Sequence, residues 1–267
     1  MPEGDTVFRA ARMLDRALSG RVLTRTDFRV PQHATADLRG STVLATVSRG
    51  KHLLTRTDTG FTLHTHLKME GSWHVYRAGE RWKRPVGQVR VLLEASGTTA
   101  VGFSLGIVEL IETHHEGEVV GHIGPDLLGP DWDEAEALRR LHAEPDRELM
   151  AALLDQRNLA GIGNMYAAEL CFTSGIHPTT AMVGVQDLPR LVRRAKLMLE
   201  QNAERAIQST TGNLRPRERL WVYRRDKSPC RRCGTPIRVA MRGEPGLERA
   251  MYWCPSCQPA VSSGEHV

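Results

Sequence analysis

Four cysteines fall as Cys230-x2-Cys233-x20-Cys254-x2-Cys257. Each C-x-x-C turn aims two thiolates at one ion, and two such turns complete a tetrahedron, the geometry of a closed zinc site. Four protein ligands leave no open coordination position, so the expectation is one structural zinc ion rather than a catalytic one. A redox-active dithiol would need only one C-x-x-C. Between Arg219 and Cys257 nine Lys or Arg face three Asp or Glu, which leaves the other 228 residues near minus one in a chain of net charge +5. That surplus exceeds what four thiolates around Zn²⁺ require. Arg224, Arg225, Lys227, Arg231, Arg232, Arg238, Arg242 and Arg249 suit contact with phosphates; a solvated basic finger without a partner is the other reading.

The chain opens Met1-Pro2-Glu3-Gly4-Asp5-Thr6. Initiator methionine is usually removed ahead of a small residue, which would leave Pro2 with a free secondary amine and Glu3 directly after it. A secondary amine that attacks a sugar aldehyde carbon gives an iminium ion with no N–H to lose, and that charge acidifies the adjacent carbon and promotes elimination. Glu3 is placed to move protons for the same event, although Met-Pro-Glu is also an ordinary way for a protein to begin. Lys51, after Arg49-Gly50 in a turn, could meet a phosphate, act as a general acid or be solvated. His64 and His66 alternate along one strand, where no metal role is expected of them, and Leu67-Lys68-Met69-Glu70-Gly71 could be core packing or a loop tip inserted into a base stack. The Gly-x-Gly of Gly161-Ile162-Gly163-Asn164 precedes a helix, a backbone that can approach an anion or simply turn. Cys171, on an apolar helix face, reads as a buried inert thiol.

These groups need elements to hold them. Val7, Ala11, Leu14 and Leu18 recur at helical spacing, with Asp5 or Thr6 as N-cap and Ser19-Gly20 as the stop. From Arg21 to about Glu112 the period changes, and strands are predicted at 22–30, 42–48, 52–57, 61–66, 72–76, 88–94 and 106–112, an antiparallel sandwich or barrel. Residues 113–130 read as a linker. Helices are predicted at 133–142, 146–156, 164–174 and 187–207, the first capped by Asp131. At 267 residues and 40% hydrophobic content the chain can hold two domains and a small module. Its 25% charged residues speak against both disorder and a fibrous repeat. With no run of about 18 apolar residues and a polar start, neither a membrane span nor a signal peptide is expected. The expected location is the cytoplasm.

Met1-Pro2-Glu3-Gly4-Asp5, Arg49-Gly50-Lys51, His66-Leu67-Lys68-Met69-Glu70-Gly71-Ser72, Gly124-Pro125-Asp126-Leu127-Leu128, Leu154-Asp155-Gln156 through Gly161-Ile162-Gly163-Asn164-Met165-Tyr166, and Tyr252-Trp253-Cys254-Pro255-Ser256-Cys257-Gln258 occur in one order. Together they resemble the formamidopyrimidine-DNA glycosylase / endonuclease VIII family, and the Pro-Glu-Gly start is most similar to its actinobacterial endonuclease VIII branch. The resemblance implies an α+β fold: an N-terminal antiparallel β-sandwich catalytic domain with a flanking catalytic helix (1–115), a helix-two-turns-helix DNA-binding domain (131–212) and a four-cysteine zinc finger hairpin (219–258), with damaged DNA held between the halves.

It also implies a bifunctional glycosylase and abasic-site lyase of base excision repair acting on a flipped nucleotide of double-stranded DNA. Pro2 would attack C1′, Glu3 would protonate the sugar oxygen, and β- and then δ-elimination would follow. Lys51 matches the family's active-site lysine, Asn164 the asparagine that holds a phosphate, and Arg249, placed by its distance to Tyr252-Trp253-Cys254, the finger arginine that assists elimination. Lys68 and Met69 match residues that fill the void left by the flipped base. Oxidised pyrimidines are the expected substrates, with oxidised purines, or DNA binding without catalysis, as alternatives. A monomeric bacterial protein that joins the nucleoid when bound to DNA is implied. Two departures stand out: a finger lengthened around Arg242-Gly243-Glu244-Pro245-Gly246, and Ser104-Leu105-Gly106 where the formamidopyrimidine branch has Arg-Phe-Gly.

Overall fold

Helix α1 (Gly4–Leu18) buries the stripe that its periodicity marks, Val7, Ala11, Leu14 and Leu18 each being at most 3% exposed. The computed structural model describes residues 2–260 apart from Glu244 and Leu247; Met1, the end of the tail and part of the finger's extra hairpin lie outside the described residues. The chain divides into two compact units, Met1–Ile123 and Gly124–Val267.

In the first unit two four-stranded antiparallel sheets share one core with α1. One sheet has the order β1 (Arg25–Phe28), β6 (Val89–Ala95), β7 (Thr98–Phe103), β5 (Ser72–Arg77). The other runs β2 (Val43–Arg49), β3 (His52–Thr57), β4 (Phe61–His66), β8 (Ile107–Glu112). Phe28, Val91 and Ala100 from the first meet Val43, Leu53, Leu63 and Val108 from the second, the interdigitation that defines a sandwich. The carboxylate of Asp15 fastens α1 to it, accepting from Ser19 Oγ at 2.6 Å and from the Thr46 N–H at 2.8 Å, beside the irregularity in β2 between Val43 and Ala45.

Three local expectations are revised. The N-cap of α1 is Glu3, not Asp5 or Thr6, which both lie in its first turn. Strand β7, Thr98–Phe103, pairs on both sides in its sheet, yet its Ala100 and Gly102 weaken the strand signal. Gly102 is required by packing, since a Cβ there would lie 2.5 Å from Leu105 Cδ1. The stretch 113–130, read as a linker, contains α2 (Glu116–Val120), whose Glu116 takes Arg56 in a two-toothed pair at 2.7 and 2.8 Å and also accepts from Thr62 Oγ1.

The second unit holds α3 (Glu134–His142), α4 (Leu149–Leu154), α5 (Asn164–Ser174) and α6 (Leu188–Ala203), followed by the hairpin β9 (Arg238–Arg242) and β10 (Arg249–Trp253). Asp133, rather than Asp131, caps α3 by accepting from the Glu136 N–H at 3.0 Å. Every residue of α5 from Asn164 to Phe172 is buried, as expected of a helix apolar on all sides. Helix α5 ends at Gly175, whose φ of +71° and N–H bonds back to Cys171 and Phe172 make the left-handed cap. Val222, Tyr223, Ile237 and Met251 join the helical core, so the cysteine-bearing segment is built onto α5 rather than around a core of its own.

Candidate active site and metal centre

In the first unit the candidate groups occupy element ends. Pro2 is half-buried and Glu3 fully buried at the head of α1, where the Glu3 carbonyl accepts from the Val7 N–H at 3.0 Å. A buried carboxylate directly after the proposed nucleophile is exposed to the positive end of the helix. Arg49 pairs with His52 across the hairpin, so Gly50-Lys51 is a two-residue loop, and the +57° φ of Gly50 suits its first position. The spacing Arg-Gly-Lys is therefore hairpin geometry that presents Lys51 at a sheet end.

The turn after β4 thrusts Met69 outward at 60% exposure, which makes it a loop tip rather than core packing. Its neighbour Lys68 has a φ of +51°, and its N–H donates to His66 Nδ1 at 2.9 Å. Gly106 is packed against Lys68, where a Cβ would come within 2.2 Å of Lys68 Cγ. The glycine of Ser104-Leu105-Gly106 thus has a local steric role whatever precedes it.

Behind this turn lies a relay that sequence reading missed. Glu109 Oε2 faces His64 Nδ1 at 2.8 Å, and His64 Nε2 faces His52 Nδ1 at 2.8 Å. With the carboxylate accepting, His64 carries its proton on Nδ1 and His52 donates from its own Nδ1. Burial, then the charges of His66, His64, His122 and Lys68, press His52 down to about 3. Burial followed by Lys68, Lys51 and His64 brings His66 to about 4. Alternation along β3 and β4 was the available signal, but the third partner comes from β8.

In the second unit Asn164, at the first position of α5, is 8% exposed and donates Nδ2 to the Ala250 carbonyl at 2.8 Å. The Gly-x-Gly loop before it is braced by Gln156, which accepts from the Gly161 N–H and donates to the carbonyls of Leu154 and Ile162. The Ala160 N–H donates to the Pro125 carbonyl at 2.8 Å, so the Gly124-Pro125-Asp126 segment supports the same loop. The Arg157 guanidinium on Asp155, aided by Arg147, holds that carboxyl well below the usual range.

The four cysteine sulfurs converge. Cys233 Sγ lies 3.5 Å from those of Cys254 and Cys257, and Cys230 Sγ lies 3.9 Å from that of Cys257. Thiolates at ~2.3 Å from a tetrahedral ion are roughly 3.8 Å apart, so the set fits a metal ion as it stands. The N–H groups of Arg232 and Cys257 point at the sulfurs of Cys230 and Cys254. A second acidic-histidine group among the described residues, Glu112, His114 and His115, is wholly exposed. Cys171 is fully buried, and burial pushes its thiol up to about 12, in keeping with an inert group.

Part of the finger's positive charge is engaged by its own backbone and rings. Arg232 lies over the rings of Phe172 and Trp221 at 4.5 and 5.2 Å. Arg225 donates to the carbonyls of Trp221 and Pro229, and Arg231 to those of Leu220 and Arg217. These three brace the knuckle, although Arg231 and Arg232 stay exposed, as do Arg224, Lys227, Arg238, Arg242 and Arg249. Also unforeseen is Glu169, fully buried on α5, which accepts the consecutive N–H groups of Trp221, Val222 and Tyr223 at 2.8 Å each, and Thr210 Oγ1 besides. It looks like an error in an apolar helix until the facing backbone is seen.

Comparison with known proteins agrees with this layout. The formamidopyrimidine-DNA glycosylase N-terminal domain matches residues 1–104 and the H2TH domain of the same enzymes matches 123–215. The chain is 54% identical over 272 residues to a probable endonuclease 8 2 of Streptomyces coelicolor, covering 99% of this chain and 97% of that one. It is 48% identical to the DNA-(apurinic or apyrimidinic site) lyase Nei2 of Mycolicibacterium smegmatis, covering 97% and 100%. A Lactococcus lactis formamidopyrimidine-DNA glycosylase bound to DNA with an abasic site shares the fold, with a TM-score of 0.79 at 22% identity over 97% of this chain and all of that one. The chain belongs to the formamidopyrimidine-DNA glycosylase / endonuclease VIII family.

Proposed function

We propose that this chain is a bifunctional DNA glycosylase and abasic-site lyase of base excision repair that acts on oxidised pyrimidines in duplex DNA. The observation that carries the reading is the head of α1, where a fully buried Glu3 directly follows a half-buried Pro2. Once Met1 is removed, the Pro2 nitrogen forms a bond to C1′ of the extruded nucleotide, and the bond from C1′ to the base breaks. Glu3 delivers a proton to the sugar oxygen as the ring opens, leaving an iminium whose nitrogen carries no hydrogen. Loss of a C2′ proton expels the 3′ phosphate, and loss of a C4′ proton expels the 5′ phosphate. Lys51 supplies a cation and exchangeable proton at the same sugar. Asn164 and Arg249 hold backbone phosphates, Arg249 also assisting elimination, and Lys68 and Met69 fill the vacated stack.

Its relatives, a probable endonuclease 8 and an abasic-site lyase, support this chemistry. Cys230, Cys233, Cys254 and Cys257 would hold one zinc ion, whose role is to fix the finger. Duplex DNA is the partner, taken up by a monomer, and among the described residues no helix is long and apolar enough to cross a membrane.

The test is borohydride trapping on duplexes carrying an oxidised pyrimidine, an oxidised purine or an abasic site, with Pro2→Gly alongside. An adduct on the pyrimidine and abasic duplexes that vanishes in the variant is the expected result. A stronger adduct on the purine would reassign the substrate, and no adduct on any duplex would reduce the chain to a DNA-binding protein.

A further inference from the structure

The connection between β5 and β6 carries Arg81-Trp82-Lys83-Arg84, and the reaction above uses none of it. Arg81 and Lys83 are exposed, and Trp82 is half-exposed. The one carboxylate in this turn, Glu80, accepts from the Arg77 N–H at 3.1 Å. The turn is built rather than slack. Tyr76, Val89, Val101 and Phe103 form a small apolar cluster separate from the main core, and Trp82 packs on it, its ring edge-on to Phe103 at 6.2 Å. Tyr76 Oη accepts from the Lys83 N–H at 3.1 Å.

Arg84 joins this turn to the Met69 tip. Its guanidinium lies over Phe103 at 6.0 Å, and Nη1 donates to Ser72 Oγ at 2.7 Å and to the Glu70 carbonyl at 3.1 Å. Glu70 is the residue after Met69, so the two tips are one braced edge. Contacts then run in order: the ring of His52, the residue after Lys51, meets that of His66, His66 accepts from the Lys68 N–H, Met69 follows Lys68, Arg84 grips the next carbonyl, and Lys83 and Arg81 lie beyond in the chain. A side chain that fills a vacated stack stands between two strands. With Lys51 at the extruded nucleotide, as proposed above, the 81–84 turn falls to the side of the other strand.

We propose that Arg81 and Lys83 contact phosphates of the undamaged strand around the orphaned base, with Trp82 as the apolar wall of that contact and Arg84 as the residue that keeps it in register with Met69. This rests on the reading of the chain as a base-extruding glycosylase and extends it to the second strand. Two charge contacts at this place make the undamaged strand part of the recognised substrate, so affinity for a lesion depends on charge that the reaction never touches.

The experiment compares wild type with Arg81→Ser/Lys83→Ser, both positions being exposed, on lesion duplexes whose undamaged strand carries either natural phosphates or uncharged methylphosphonates beside the orphaned base. On the natural duplex the variant binds ~10-fold more weakly, and its log–log salt slope falls by ~1.8, the value for two phosphate contacts. Methylphosphonates weaken wild type by the same factor and leave the variant unmoved. Equal weakening of both proteins by methylphosphonates, or an unchanged salt slope, would overturn the assignment. Should wild type fail to be trapped on the natural duplex, the glycosylase reading itself falls and takes this proposal with it.

Discussion

Asn164 Nδ2 donates to the Ala250 carbonyl at 2.8 Å, so the first residue of α5 and the residue after Arg249 are held by one hydrogen bond. Asn164 Oδ1 is buried and has no hydrogen-bond partner among the described residues, and Nδ2 carries a second hydrogen beyond the one given to Ala250. Asn164→Ala removes both this tie and the Nδ2 hydrogen proposed to meet a phosphate. A bond to a charged group contributes about 1.5–3 kcal/mol, and DNA affinity should fall roughly 10- to 100-fold by anisotropy titration. Asn164→Asp should fall further, since a carboxylate would face both a carbonyl and a phosphate. An Ala variant that binds within twofold of wild type would remove Asn164 from the site.

The sulfur separations predict one tightly held metal ion per chain, zinc on the reading proposed above, measurable by elemental analysis and by release to a colorimetric chelator. Stripping the metal leaves four thiolates converging without a cation, and because the finger's Ile237 and Met251 belong to the α5 core, its loss should spread. We expect the stripped protein to lose duplex binding by at least ~100-fold and the second unit to unfold at lower temperature. Retained affinity after complete zinc removal would mean that the exposed arginines bind without the knuckle.

Glu169 is tested by Glu169→Gln, which keeps the shape but turns an NH₂ group toward backbone donors. Burial pushes its carboxyl above the usual range, while Thr210 and three backbone donors oppose this. Leaving such donors unsatisfied costs about 1–3 kcal/mol each. A fall of several degrees in the unfolding midpoint and weaker zinc retention are expected. A midpoint unchanged within a degree would show that Glu169 carries none of the finger's attachment.

The parts legible in the sequence were those with a strict period or a strict spacing. The α1 stripe, six of the strands to within a residue at each end, helix α5 and the cysteine quartet all follow from local rules. What escaped depends on partners distant in sequence. Strand β7 is held by neighbours on both sides despite Ala100 and Gly102, and Glu169 makes sense only against residues 210–223. The His52–His64 contact needs Glu109 from a third strand to fix its protons. Arg84, too, gains its role only when the turn containing Glu70 folds back beside it. Charge counting found the basic finger but could not divide Arg225, Arg231 and Arg232, which hold its own carbonyls and rings, from Arg242 and Arg249 on the hairpin.

Two histidines, His52 on β3 and His66 on β4, make the first unit sensitive to acid. His52 and His66, pressed down to about 3 and about 4, stay neutral when folded, whereas an unfolded histidine takes up a proton near pH 6.5. A depressed folded value means that the contribution is complete above pH 6.5 and is lost as pH falls toward the folded values. Between pH 7 and pH 5 each histidine should cost up to ~2 kcal/mol of stability, visible as a steep fall in the unfolding midpoint. His66 adds a functional consequence, because protonating Nδ1 replaces the acceptor that the Lys68 N–H needs and loosens the Met69 tip. His66→Asn, whose Oδ1 stands in for Nδ1 and does not titrate, should flatten both the stability profile and the acid limb of trapping on duplex DNA. An acid limb identical to that of wild type would place the titrating group elsewhere, with Glu3 the next candidate.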